Sequence, residues 1–166
     1  KTVSLKVFEN LQKKLNGKNI EFLKLNSNPV FNPEKLDKKA SIYEFKIGYT
    51  QEEKIKKLNL KNDEVMLVNA LDEIAYFTNL RSFNIPFSSS FYSKMIVKND
   101  KIVLFTDGEI DSCSNMIEVL PLSEFENYVL NLKETVLYCK NNINLHDFEL
   151  IKDKAKESKY IKTDVF

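Results

Sequence analysis

His146 is the one histidine in 166 residues, and that count limits the chemistry the chain can perform. A hydrolytic metal site needs several convergent ligands, and a histidine-activated nucleophile needs a base held in place by a third group. One imidazole near the start of a helix supplies neither. Asp147 beside it can perturb its proton affinity, but a partly exposed surface histidine is the simpler reading. Carboxylates are so frequent, 24 Asp and Glu in all, that neighbours such as Asp107 with Glu109, or Glu52 with Glu53, follow from abundance. Asp107-Gly108 sits at a strand end, where Asp-Gly makes a tight turn because glycine tolerates positive φ. Cys113 and Cys139 are far apart and follow no CxxC spacing, so buried free thiols are expected rather than a redox or zinc motif. The sequence has no Gly-rich phosphate loop, no GxSxG elbow and no HExxH.

Phe83, Phe87, Phe91 and Tyr92 cluster in the same stretch as Arg81. Aromatic rings beside a guanidinium are common at interfaces and substrate walls, although each ring taken singly also fits a core. Ser88, Ser89 and Ser90 read as a loop before a strand. The balance of 25 Lys and Arg against 24 Asp and Glu leaves a formal charge of +1, which offers no field to hold nucleic acid or an acidic membrane surface. No apolar run reaches the roughly 18 residues that span a bilayer, and no signal peptide opens the chain. A cytoplasmic location is expected.

These residues must be positioned by an ordinary globular core, as the 43% apolar and 30% charged shares allow. Leu5, Phe8, Leu11 and Leu15 have near-helical spacing, closed by Asn16-Gly17. Ile20, Phe22, Leu23 and Leu25 read as a short strand, and 26–39, with Pro29 and Pro33, as a linker. Thr50 to Glu53 forms a capping box for a helix bearing Ile55 and Leu58. The run Val65 to Val68 reads as a buried central strand, after which Asn69 caps a helix with Leu71, Ile74, Ala75 and Thr78 on one face. Residues 91–97 and 101–106 form a hairpin across Lys98-Asn99-Asp100. Met116 to Leu120 is a strand ended by Pro121, and Ser123 to Glu126 is a second capping box opening a helix. Val136 to Cys139 returns as a strand, Leu145 to Glu157 is a last helix, and 159–166 is extended. Alternating strands and helices with one hairpin predict an α/β domain, a mixed and partly antiparallel sheet with helices on both faces.

The stretch from Ala70 to Val97, followed by Ile102 to Ile110, resembles the second domain of the long Xaa-Pro aminopeptidases (aminopeptidases P), a branch of the creatinase/prolidase N-terminal-domain superfamily. Leu71, Asp72, Glu73, Ile74, Ala75, Asn79, Leu80, Arg81, Ile85, Phe91, Ser93, Leu104 and Phe105 keep that family's register without a gap. Tyr76 stands where the family has tryptophan, Ser82 where it has glycine, Asn84 where it has aspartate, and Ser88-Ser89-Ser90 where it has Asn-Pro-Val. The resemblance implies that residues 1–48 end a first creatinase-N-like domain plus linker, that 49–166 form a second, and that the catalytic pita-bread domain is absent. It also implies no cofactor in this chain. Two divalent metals, usually manganese, would belong to the missing domain, held there by two aspartates, a histidine and two glutamates. The chain alone would then be non-catalytic, while its parent removes the N-terminal residue preceding proline. The partners implied are its own C-terminal catalytic domain, a second copy in a homodimer, and the parent's proline-containing peptides. Asn79, Arg81, Phe83, Phe91 and Tyr92 become candidates for a substrate-entrance or inter-domain surface. The local alternative has Arg81 pairing with a nearby carboxylate and Asn79 capping the helix end. The competing function is a stand-alone protein-interaction module of the same fold.

Overall fold

A computed structural model describes residues 3–23, 40–46 and 48–158. Helix α1 (Leu5–Leu15) is followed by strand β1 (Ser41–Glu44), helix α2 (Gln51–Leu58), β2 (Glu64–Val68), α3 (Leu71–Thr78) and the short β3 (Leu80–Arg81). The hairpin β4 (Lys94–Val97) and β5 (Ile102–Phe105) comes next, then β6 (Glu109–Ile110), β7 (Ile117–Leu120), α4 (Phe125–Asn131), β8 (Thr135–Tyr138), α5 (Leu145–Ile151) and β9 (Ala155–Glu157). Six strands form the main sheet in the order β7-β5-β4-β2-β8-β9, and β3-β1-β6 form a small second sheet. The β4–β5 hairpin and the β2–β4 pair are antiparallel, with Leu67 opposite Ile96 in the latter, whereas β2–β8, β8–β9 and β5–β7 run parallel. This is the mixed, partly antiparallel sheet expected.

Strand β2 is buried along its whole length, and its side chains alternate between two cores as a pleated strand requires. Met66 and Val68 pack with Ile55, Leu58, Ile74 and Phe77, the inward faces of α2 and α3. Val65 and Leu67 meet Leu5, Phe125, Val129 and Ile151 from α1, α4 and α5 on the opposite face. Burying a ring such as Phe77 or Phe125 contributes about 2–3 kcal/mol relative to leaving it in water. Helices therefore cover both faces. Strand β1 joins the first core through fully buried Ile42, and α1 joins the second through Leu5, whose N–H donates to the Ile143 carbonyl at 3.0 Å.

Several local expectations are corrected. Asn69 does not cap α3; Ala70 occupies that position without a side-chain bond, because the Asn69 amide donates instead to Asp147 Oδ2 at 2.6 Å. Ser123 and Glu126 form no capping box, since a 3₁₀ turn over Leu122–Glu124 feeds directly into α4. The last helix stops at Ile151; a 3₁₀ turn and β9 follow, and β9 gains its backbone bonds by pairing with β8. Residues 20–23 are not in a strand, while the rest of that segment, the linker 26–39 and the extended 159–166 lie outside the described residues. Gly108 is required for closeness rather than positive φ: a Cβ there would stand 2.5 Å from Ile42 Cδ1 and 2.9 Å from the Ala40 carbonyl oxygen. The capping box at Thr50 and Glu53 is present, with Glu53 Oε2 accepting from the Thr50 N–H at 2.7 Å.

Candidate docking surface around Asn79 and Arg81

Helix α3 ends at Thr78 because Asn79 turns left-handed, φ 58°, a conformation asparagine tolerates better than most residues. Its side chain then reaches back into the fold. Asn79 Nδ2 donates to the Tyr49 carbonyl at 3.1 Å, and Asn79 Oδ1 accepts from Lys54 Nζ. Lys54 also donates to the Tyr76 carbonyl at 2.5 Å and stands 4.3 Å from the centre of the Tyr76 ring. Arg81 Nη1 donates to the Ala75 carbonyl and, at 2.8 Å, to that of Leu80. Gln51 Nε2 takes the Thr78 carbonyl at 2.9 Å. Three side chains thus satisfy carbonyls at the C-terminal end of α3, and two are cations, the sign its dipole favours there.

The energetic consequence falls on Lys54. Only 2% of it is exposed; burial first, and then repulsion from Arg81, depress its pKa to about 8, with Glu53 opposing weakly. Burial also pushes the Arg81 guanidinium down. The guanidinium bonds main-chain carbonyls rather than the carboxylate that the local alternative supposed, while Asn79 does cap the helix end.

The aromatic candidates separate. Phe91 is 1% exposed and packs in the first core, so its ring presents nothing to a substrate. Tyr92 is about a third exposed, and its carbonyl accepts from Thr106 Oγ1 at 2.9 Å. Phe83 is 69% exposed, its ring edge-on to Phe45 with centroids 6.5 Å apart. Tyr43, Phe45 and Tyr49 are exposed as well, Tyr49 with Lys57 Nζ 3.4 Å from its ring centre, and sequence reasoning did not single them out. The available signal was Tyr43 and Phe45 alternating with Ile42, a period-two pattern with Ile42 inward; β1 pairs Tyr43 with Arg81, and the Phe45 N–H donates to the Asn79 carbonyl at 2.9 Å.

The remaining polar groups are engaged elsewhere. His146 Nε2 contacts Glu126 Oε1 at 2.8 Å. Asp147, fully buried, accepts from Lys94 Nζ at 2.5 Å, from Asn69 and, at 2.8 Å, from Asn144. Cys113 and Cys139 are free but half-buried rather than buried, and burial raises the Cys113 thiol. No group of three or more His, Cys, Asp or Glu among the described residues could hold a metal ion. Clefts of about 360 and 460 Å³ lie away from the aromatic surface, one against α1 and the other against α4. No helix among the described residues is long and apolar enough to cross a membrane.

A mixed sheet covered on both faces and fronted by an aromatic surface is an α/β domain with a ready contact face. The family model of the creatinase/prolidase N-terminal domain matches residues 32–165, and the chain belongs to that family. Its relatives are Xaa-Pro aminopeptidases. Xaa-Pro aminopeptidase ApepP of Drosophila melanogaster is 49% identical over 51 residues, which is 31% of this chain and 8% of that protein. Xaa-Pro aminopeptidase 2 of Mus musculus is 30% identical over 115 residues, 66% of this chain and 15% of that one. The fold is shared with X-prolyl aminopeptidase from Caenorhabditis elegans, described as a cytosolic enzyme with a di-nuclear active site. The TM-score is 0.78 at 16% identity, over 96% of this chain and 30% of the other. The matches thus occupy between 8% and 30% of these proteins.

Proposed function

We propose that the chain is the N-terminal, non-catalytic part of a cytoplasmic Xaa-Pro aminopeptidase, where it walls the substrate entrance and carries inter-domain or dimer contacts. The carrying observation is an exposed aromatic surface on a creatinase/prolidase N-terminal domain whose relatives bear that name. Asn79 and Arg81 set the frame, fixing the end of α3 and the start of β3. Phe83 and Tyr92 supply ring surface to the entrance, and Phe91 supports them from the core. The division into a first domain plus linker over 1–48 and a second domain over 49–166 is part of this proposal, although β1 pairs with β3 and β6 across it.

In the parent, a catalytic domain outside this chain would hold two divalent metals, manganese in our reading, to polarise the scissile carbonyl and supply the attacking water. This chain's residues orient the peptide and limit its approach. The partners proposed are that domain, a second copy in a dimer, and peptides with proline second. A stand-alone interaction module remains the second reading, favoured by the same exposed rings. Kinetics on the parent carrying Phe83→Ala separate the two: the entrance reading expects KM for longer proline-second peptides to rise several-fold with kcat kept. Unchanged KM for every peptide length would remove Phe83 from the entrance and favour the module.

A further inference from the structure

We infer that the cleft between the polar face of α1 and the carboxyl ends of β8 and β9 binds a small molecule with two carboxylates and one ammonium, an acidic amino acid or an acidic dipeptide. This goes beyond the proposed function and does not depend on it. Strands β8 and β9 are adjacent and parallel, with Val136 opposite Ala155. Residues 139–142, directly after β8, and Glu157 with Ser158, at the end of β9, line the cleft. Open α/β sheets place their ligands outside the carboxyl ends of their strands. The cleft's volume of about 360 Å³ falls within the roughly 300–1,000 Å³ of small-molecule sites.

Helix α1 forms the opposite wall and is held there at several points. Ser4 bridges Asn144, the Leu145 N–H donates to the Val3 carbonyl at 3.0 Å, and Lys140 Nζ meets Glu9 Oε2 at 2.5 Å. The space is thus bounded before anything enters it, which lowers the ordering cost of binding. The helix is also turned against the usual rule. A surface helix ordinarily faces its apolar stripe to the core and its charges to water. Here Lys6, Glu9, Asn10 and Lys13, three and four residues apart, share the face that lines the cleft. Leu5 is the one buried α1 residue, while Val7 and Leu11 are left exposed. A helix fixed with its charged stripe towards the body suits a polar occupant.

The ligand's charges follow from those the cleft leaves uncommitted. Lys140 and Glu9 neutralise each other, and the Asn142 amide donates to Glu73 Oε1 at 3.0 Å. Lys6 and Lys13 on α1 and Glu157 on the far wall enter no ion pair among the described residues. Two cations and one carboxylate are matched by two carboxylates and one ammonium. A plain dicarboxylate or a phosphate would leave Glu157 facing negative charge, a mismatch that discriminates against both. Lys6 and Lys13 stand about 10.5 Å apart along the helix axis, and their flexible four-carbon stems can converge on the two carboxylates of one small molecule.

The test uses the 166-residue chain with L-glutamate, glycyl-L-glutamate and glutarate as probes at fixed ionic strength. Binding is followed by calorimetry and by the rate at which iodoacetamide alkylates Cys139, which lines the cleft. Cys113, packed against the first core, is the internal control, and mass spectrometry resolves the two. The expected result is saturable binding of L-glutamate or of glycyl-L-glutamate, the tighter of them telling free amino acid from dipeptide. Cys139 alkylation should slow at least fivefold with Cys113 unchanged, and glutarate should bind at least fivefold more weakly. Lys13→Met, at an exposed position, should weaken binding at least fivefold without moving Tm, and Glu157→Gln should weaken L-glutamate but not glutarate. No saturable binding of either amino-acid probe overturns the site, as does equal protection of Cys139 by sodium chloride. Glutarate bound as tightly as L-glutamate, in wild type and Glu157→Gln alike, overturns the pairing of an ammonium with Glu157 and with it the ligand class.

Discussion

Lys54, midway along α2, ties that helix to the end of α3 and to Asn79, and its depressed pKa makes that tie measurable by pH. Its ammonium has about 8 as its folded pKa against 10.5 for the unperturbed group. Below the folded value both folded and unfolded chains carry the proton, and the folded state bears the cost of burying it. As pH rises from about 8 towards about 10.5 the folded chain sheds the proton while the unfolded chain retains it, so stability rises. Between about pH 7.5 and about pH 9.5 the gain works out near 2 kcal/mol for these two values. The assay is urea unfolding of wild type and Lys54→Met at intervals of pH, comparing their difference. Methionine removes the titration, though it also leaves the Tyr76 carbonyl and Asn79 Oδ1 without this donor. Wild type should therefore gain about 2 kcal/mol over the variant across that window. A pH-independent difference, or one of opposite sign, would refute the burial of a charged Lys54 against α3.

Two further substitutions probe the scaffold. Asp147→Asn leaves Lys94 without its buried counter-charge and should cost about 3–5 kcal/mol in denaturant unfolding; a loss under about 1 kcal/mol would mean that the pair is solvated. Gly108→Ala forces a methyl against Ile42 and the Ala40 carbonyl, which should lower stability by about 1–3 kcal/mol; a neutral or stabilising result would show that β1 and β6 can separate freely.

The parts legible in sequence were those fixed by local periodicity and short-range capping. Val65 to Val68, the β4–β5 hairpin and the Thr50 capping box depend on neighbours within a few residues, and each appears close to its expected place. Asn69 could not be read correctly because its partner, Asp147, is distant in sequence and was itself assigned only to a helix start. Residues 152–157 carry enough lysine and glutamate to suit a helix, yet parallel pairing with β8 overrides that local preference. At the surface, the cluster of Phe83, Phe87, Phe91 and Tyr92 was visible, but which rings face outward was not. Phe91 is drawn into the core just ahead of β4, whereas Phe87 is turned out by backbone bonds among serines that have no periodic signature. Tyr43 and Phe45 escaped because β1 is four residues long and its partners β3 and β6 have two each.

The central claim is that this domain serves peptide hydrolysis without performing it, and the most direct measurement is turnover of a proline-second peptide by the purified 166-residue chain supplied with excess manganese. The account predicts a rate indistinguishable from the metal-only blank. Sustained release of the N-terminal residue, proportional to the concentration of this chain and abolished by a chelator, would contradict it.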